Sequence, residues 1–298
     1  TGDAEDEYMS EYLIQIAIFI CIYFILAASL NLAVGFTGLI NLGHIAFFGI
    51  GAYASALLTV RFHAPFAVAF FLSGVIAGWF GWCIMKITKR LSGDYFALAM
   101  LAFQFLIVAV FLNWMTLTRG PLGIPGIPRP SFFGYVLAGN RSYLVFALII
   151  ASAVFFFLRR LAASPYGRVL CAVRDDAIGA AALGKDINRV RSHCLVLSTF
   201  FAGIAGSLFA HFIQFIDPYS FHLSELILAL TIMIVGGLAS LSGTLVATII
   251  LLLVPEALRF LPIPDLMVGP LRQMLYSGIL IGILLWRPRG IFGKVDLE

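Results

Sequence analysis

Residues 11–33, EYLIQIAIFICIYFILAASLNLA, form an apolar run of 23 positions with one acid at its first position and no basic residue. An α-helix needs about 20 such residues to cross the hydrocarbon core of a bilayer. Similar runs recur at 45–60, 65–85, 95–117, 142–158, 193–216, 224–238, 244–261 and 270–286. They are continuous rather than alternating over about ten residues, which argues against a transmembrane β-barrel. The whole chain is 61% hydrophobic and 11% charged, against about 25% charged in soluble domains. The expectation is an all-α polytopic membrane protein with about nine helices (eight to ten), some broken by glycine.

Charge orients it. Residues 159–191, RRLAASPYGRVLCAVRDDAIGAAALGKDINRVR, are a polar island carrying seven of the nineteen Lys/Arg residues. With Lys86, Lys89, Arg90, Arg287, Arg289 and Lys294, the island places thirteen basic residues on one side if nine spans alternate. Short cytoplasmic loops carry that excess. The reading is one membrane domain, 11–286, with a cytoplasmic loop at 159–192, a cytoplasmic tail at 287–298, an external loop at 118–141 and an N-terminal tail at 1–10. Within the island, AVRDDAIGAAA (172–182) predicts a short helix with two acids at its N-terminus, where the helix dipole favours them. A polar helix on the cytoplasmic face points to a docked partner.

Glycine marks the membrane segments. LNLAVGFTGLINLGHIAFFGIGAY (30–53) interleaves five glycines with polar residues, and VGGLASLSG (235–243) is a second break. Broken helices at membrane depth persist only where protein or a water-filled cavity surrounds them, and paired breaks can mark a transport path. Asn31, Gly35, Thr37, Gly38, Asn41 and His44 are therefore candidate path residues, joined by Gln104 as a neutral polar group inside a span, whereas Gly49 and Gly51 suit close helix packing. The loop TRGPLGIPGIPRPSFFGYVLAGN (118–140) has four prolines and five glycines, too many for a regular helix. It reads as a structured cap, with Arg119 and Arg129 as candidate docking residues.

Other signals point away from catalysis. GAAALGK (179–185) fits a P-loop by letters, but Asp186 stands where Ser or Thr must hold Mg²⁺. Cys21, Cys83, Cys171 and Cys194 form no C-x-x-C pair and read as free thiols. The five histidines lack ligand-like spacing with carboxylates, so no metal site is expected, and no nucleophile–base pair suggests an enzyme. The span interiors offer neutral polar groups such as Gln15, Asn113, Gln214, Thr231 and Gln273, with Glu225 and Glu256 at span ends. Ion-coupled transporters usually bury charges in their spans, so the energy is expected from another protein.

Several segments together, LNLAVGFTGLINLGHIAFFGIGAY, GDYFALAMLAFQ, TRGPLGIPGIPRP, SPYGRVLCAVRDDAIGAAALGKDINRVR, FAGIAGSLFAHF, MIVGGLASLSGTLVA and WRPRGIFG, resemble the permease subunit of branched-chain amino acid ABC importers, and its M-type more than its H-type. The resemblance runs from about residue 12 to 293. It implies a bacterial or archaeal cytoplasmic-membrane complex of this chain, an H-type permease, two ATPase subunits that bind ATP and Mg²⁺, and an external solute-binding protein. It implies no cofactor in this chain and no nucleic-acid partner. The island 166–191 corresponds to the family's coupling segment, placing Arg174, Asp175, Asp176, Ala177 and Gly184 on ATPase-contacting positions. Asp175–Ala177 replaces the more usual acidic pattern, and 180–182 lacks a second glutamate. Permeases for urea and short amides resemble this chain too, and a self-sufficient secondary transporter is the rival from another class.

Overall fold

In the computed structural model, helix α1 runs unbroken over Gly2–Thr37, so residues 2–10, expected to be a tail, are its first turns. The structure describes residues 2–91, 93–132, 135–256, 265–287 and 290–293. Beyond α1 come α2 (His44–Val60), α3 (Phe66–Thr88), α4 (Asp94–Asn113), α5 (Met115–Thr118), α6 (Asn140–Ala163), α7 (Pro165–Asp175), α8 (Ala177–Ala182), α9 (Ile187–Ile213), α10 (Leu223–Gly236), α11 (Leu241–Leu253) and α12 (Asp265–Trp286). Among the described residues, six helices are long and apolar enough to cross a membrane: Met9–Thr37, Phe66–Thr88, Asp94–Asn113, Asn140–Ala163, Ile187–Ile213 and Pro218–Gly236. Two shorter apolar helices are His44–Val60 and Leu241–Glu256. The chain is all-α and polytopic. Among the described residues, the strands are two-residue pieces: β1 (Ile124–Pro125), β2 (Ser131–Phe132), β3 (Tyr135–Val136) and β4 (Phe215–Ile216), paired β1 with β4 and β2 with β3.

The short α2 rises only ~26 Å at 1.5 Å per residue, and it is buried from His44 through Ala56 at nearly every position. It lies between α3 and α9, which also pack on each other. The approach is at backbone distance: a Cβ on Gly51 would collide with the main chain of Gly203 in α9. In a bilayer, where lipid is as apolar as Leu, such close packing is a main source of helix association. A second apolar group joins Ala27 of α1 to Leu228 and Ile232 of α10, Ala247 and Leu251 of α11, and Tyr276, Ile279 and Ile283 of α12.

Several expected boundaries shift. The island's single helix over 172–182 is two helices. Ser164 accepts from the Gly167 amide at 3.2 Å, with Pro165 at the first position, so α7 begins seven residues earlier; Pro is pre-organised there. Extended backbone at Asp176 (φ −149°, ψ 93°) ends α7, and its carboxylate caps α8 by accepting from Gly179 N at 2.9 Å. Asp175 is thus the last residue of α7, not part of an N-terminus. The expected span 95–117 ends at Asn113, where Trp114 (ψ 70°) breaks the helix, and the Thr118 hydroxyl donates to the Phe111 carbonyl at 2.7 Å. Helices α6 and α9 extend into the basic island to Ala163 and from Ile187, because Arg is a good helix former. Residues 257–261 of the expected span 244–261, and much of the tail 287–298, lie outside the described residues.

Candidate translocation path and docking faces

The two glycine breaks meet. Asn31 of α1 donates through Nδ2 to the Gly237 carbonyl at 3.2 Å and the Thr244 hydroxyl at 2.8 Å, while its Oδ1 accepts from Ala239 N at 2.9 Å. One buried side chain thereby satisfies backbone groups freed where α10 stops and α11 starts. Gly35, one turn later, leaves no room for a Cβ between Asn31 and Ala239. Its carbonyl accepts from Arg174 Nη1 of α7 at 2.6 Å. Arg174 also pairs with Asp175, Nε to Oδ1, at 2.7 Å. Gly38, in the left-handed region at φ 69°, turns the chain away beneath the Arg174 stem, 3.3 Å from where its Cβ would stand. Thr37 returns its hydroxyl to the Ala33 carbonyl at 2.6 Å.

A second buried node lies at the start of α2. Gly43 N donates to Asn41 Oδ1 at 3.1 Å, which turns the Asn41 amide nitrogen toward His44 Nδ1 at 3.2 Å. That ring nitrogen must then accept, so Nε2 carries the proton and donates to Ser29 Oγ at 2.9 Å. Ser29 passes its own proton to the Leu26 carbonyl at 2.8 Å, and Ser198 of α9 donates to the Ser29 carbonyl at 2.6 Å. Gln104 of α4 stands apart from both nodes. It donates to the Phe221 carbonyl at 2.9 Å, and its Oε1 is buried without a hydrogen-bond partner among the described residues.

The island presents a face. Asp176 is engaged as a cap and Asp175 in its ion pair, whereas Ile178 and Leu183 of the α8 segment are 85% and 83% exposed. Ala177 begins α8, and Gly184, at φ 77°, follows it on the surface with its amide bonded to the Ala181 carbonyl at 2.9 Å. Tyr166 tucks back toward α9; burial, aided by nearby Cys194, holds its phenol above the usual range. The loop between α5 and α6 crosses the end of α9, where Ile124 pairs with Ile216. His211 bonds the Pro128 carbonyl at 2.7 Å through Nδ1, and Ser55 through Nε2 at 2.9 Å. Arg129 is tied to the Ala138 carbonyl (2.9 Å) and to Asn140 (3.0 Å), which donates to Glu11 of α1 at 2.8 Å. Arg119 is exposed, at φ 62°.

Toward the other end of α1, ~18–35 Å from Gly35 at 1.5 Å per residue, a cavity of about 780 Å³ opens between α1, α10, the end of α11 and α12. Tyr12, Tyr23, Glu225, Glu256, Arg272 and Tyr276 contribute its polar lining. Arg272 Nη2 meets Glu256 Oε1 at 2.8 Å, Tyr12 also donates to Glu256, and Tyr23 donates to Glu225 at 2.5 Å.

Residues 12–285 match the family model described as branched-chain amino acid transport system / permease component. The chain belongs to that permease family. It is 32% identical to the high-affinity branched-chain amino acid transport system permease protein LivM of Salmonella typhimurium, over 93% of this chain and 69% of that protein. LivM of Escherichia coli gives the same figures. BraD of Pseudomonas aeruginosa, another high-affinity branched-chain amino acid permease protein, is 25% identical over 93% of each chain.

Within this permease, Asn31, Gly35, Thr37 and Gly38 gather at one junction with Arg174, and Asn41 and His44 form a node beside it. Gln104 joins neither. Sequence reasoning did not single out Ser29, Ser198 or Thr244, whose small hydroxyls are unremarkable in membrane helices. It placed Glu225 and Glu256 at span ends without bringing them to Arg272 in one cavity. Nor did it single out Ile178 and Leu183, whose apolar letters stand among others such as Leu170 and Val173 in the island; only the fold shows that these two are exposed.

Proposed function

We propose that this chain is the membrane-spanning permease subunit of an ATP-driven importer and forms the path for leucine, isoleucine and valine. Family membership over residues 12–285 carries the reading. The M-type chain crosses the membrane about nine times, with its C-terminus in the cytoplasm. It pairs with an H-type permease. Two ATPase subunits supply the energy, docking on the island at Arg174–Ala177 and Gly184 with Ile178 and Leu183 as apolar anchors. The loop 118–141, led by the exposed Arg119, receives the solute-binding protein, while Arg129 holds the loop's shape. Tight apolar anchors with charged neighbours give affinity and register, respectively.

The Arg174–Gly35 bond supports a route for coupling. A pull on α7 and α8 acts on the end of α1, and through Asn31 on the break between α10 and α11. The test is uptake into proteoliposomes holding both permeases and both ATPases, with liganded binding protein outside and ATP inside. Leucine accumulation that requires ATP is expected. Accumulation of urea or acetamide instead, or leucine uptake by the permeases without the ATPases, would overturn the reading.

A further inference from the structure

We propose that the cavity between α1, α10, α11 and α12 holds the head group of the amino acid in transit, Arg272 taking its carboxylate and Glu225 its ammonium. This rests on the amino acid transport proposed above. Ionisable side chains in membrane helices are costly and are found paired or facing a cavity that serves a path. Here a guanidinium and two carboxyl groups line one space of about 780 Å³, within the usual range for small-molecule sites of about 300–1,000 Å³.

The donors and acceptors fit a zwitterion. Arg272 meets Glu256 through Nη2 at 2.8 Å, and its Nε is buried with no hydrogen-bond partner among the described residues. A guanidinium offers five donors in a fork that suits a second carboxylate. Glu225 receives Tyr23 on Oε2 at 2.5 Å, leaving Oε1 for an ammonium. Ile16, Phe19, Ile227, Leu228 and Leu252 line the same space, and a branched alkyl chain packs on such a wall. Polar groups that fix orientation beside an apolar wall are the ordinary make-up of a small-ligand pocket. A phosphatidylethanolamine head group carries the same pair of charges, so the experiment must separate lipid from free amino acid.

The assembled complex, in nanodiscs with binding protein, is photolabelled with a diazirine analogue of leucine and digested. Label is expected in residues 11–23 and 270–276, removed by excess leucine but not by isopentylamine, which lacks the carboxylate. Uptake by Arg272→Lys and Glu225→Gln complexes, at saturating liganded binding protein, is expected to fall at least tenfold. Ser224→Phe, at an exposed position of the lining, fills the cavity without touching the ion pair and should do the same. If the Arg272 variant fails to assemble, Ser224→Phe and the labelling decide. Label mapping elsewhere, label displaced by changing the lipid but not by leucine, or assembled Ser224→Phe complexes transporting within twofold of the parent would overturn the assignment. Leucine uptake by the parent complex tests the transport reading itself, so parent and variants transporting alike would remove the site and leave the function.

Discussion

Asn31 does with one amide what a broken helix cannot do for itself. Its three hydrogen bonds, to Gly237, Ala239 and Thr244, close the turn between α10 and α11. Asn31→Leu keeps roughly the same size but leaves the part-buried Ala239 N–H without its acceptor, at a cost of about 1 kcal/mol or more. Thermal unfolding of the detergent-solubilised complex should show that loss; an unchanged midpoint would mean that the turn holds without the amide. Arg174 carries a hydrogen bond from the island to α1. Arg174→Ala removes a bond to the Gly35 carbonyl, of the charge-assisted kind that contributes about 1.5–3 kcal/mol, so uptake should fall about tenfold or more. The ATPases should still co-purify, because the exposed apolar pair remains. Uptake equal to the parent's would show that this contact carries no coupling. Asn31, Gly35 and Gly38 were legible as a group because a polar amide and glycines at membrane depth violate the apolar pattern. Their partners were not, since contacts across 139 to 213 positions leave no local signal.

Among the elements, α7 and α8 show what a propensity reading misses. Good helix formers fill 172–182, yet Asp176 prefers to bond the amide three residues on, and that preference splits the run. The same caps make the acids poor choices for a clean test of docking. Asp176→Ala removes the α8 cap at about 1 kcal/mol and so loosens the helix as well as altering charge. Ile178→Asp leaves both caps intact and places a charge on a side chain that is 85% exposed. It should leave membrane levels of the permease unchanged and abolish co-purification of the ATPases. Full ATPase retention in Ile178→Asp would place the docking face elsewhere. The helix count was less legible than the helix class. Apolar runs of 13 to 17 residues, such as α2 and α11, form helices too short to be identified as spans by length alone. Burial by neighbouring helices, which sequence hydropathy does not report, is what lets such segments sit at membrane depth.

At the scale of the whole molecule, α1 ties two ends together: the junction with Arg174 at one, and the cavity with Tyr12 and Tyr23 at the other. Composition alone established a polytopic helical protein, and the basic residues proposed which end faces the cytoplasm. What composition could not carry was the convergence of Glu225, Glu256 and Arg272, because they come from three separate elements and only tertiary packing unites them. ATPases can reach the island and a binding protein the loop over α9 only if the two lie on opposite faces of the membrane. Ala182 and Ser131 are both exposed and suit the decisive experiment, single cysteines introduced in a background lacking Cys21, Cys83, Cys171 and Cys194. An impermeant thiol reagent added to intact cells should label Ser131→Cys, and Ala182→Cys should react only after the membrane is opened. Labelling of both positions from the same side would contradict the account.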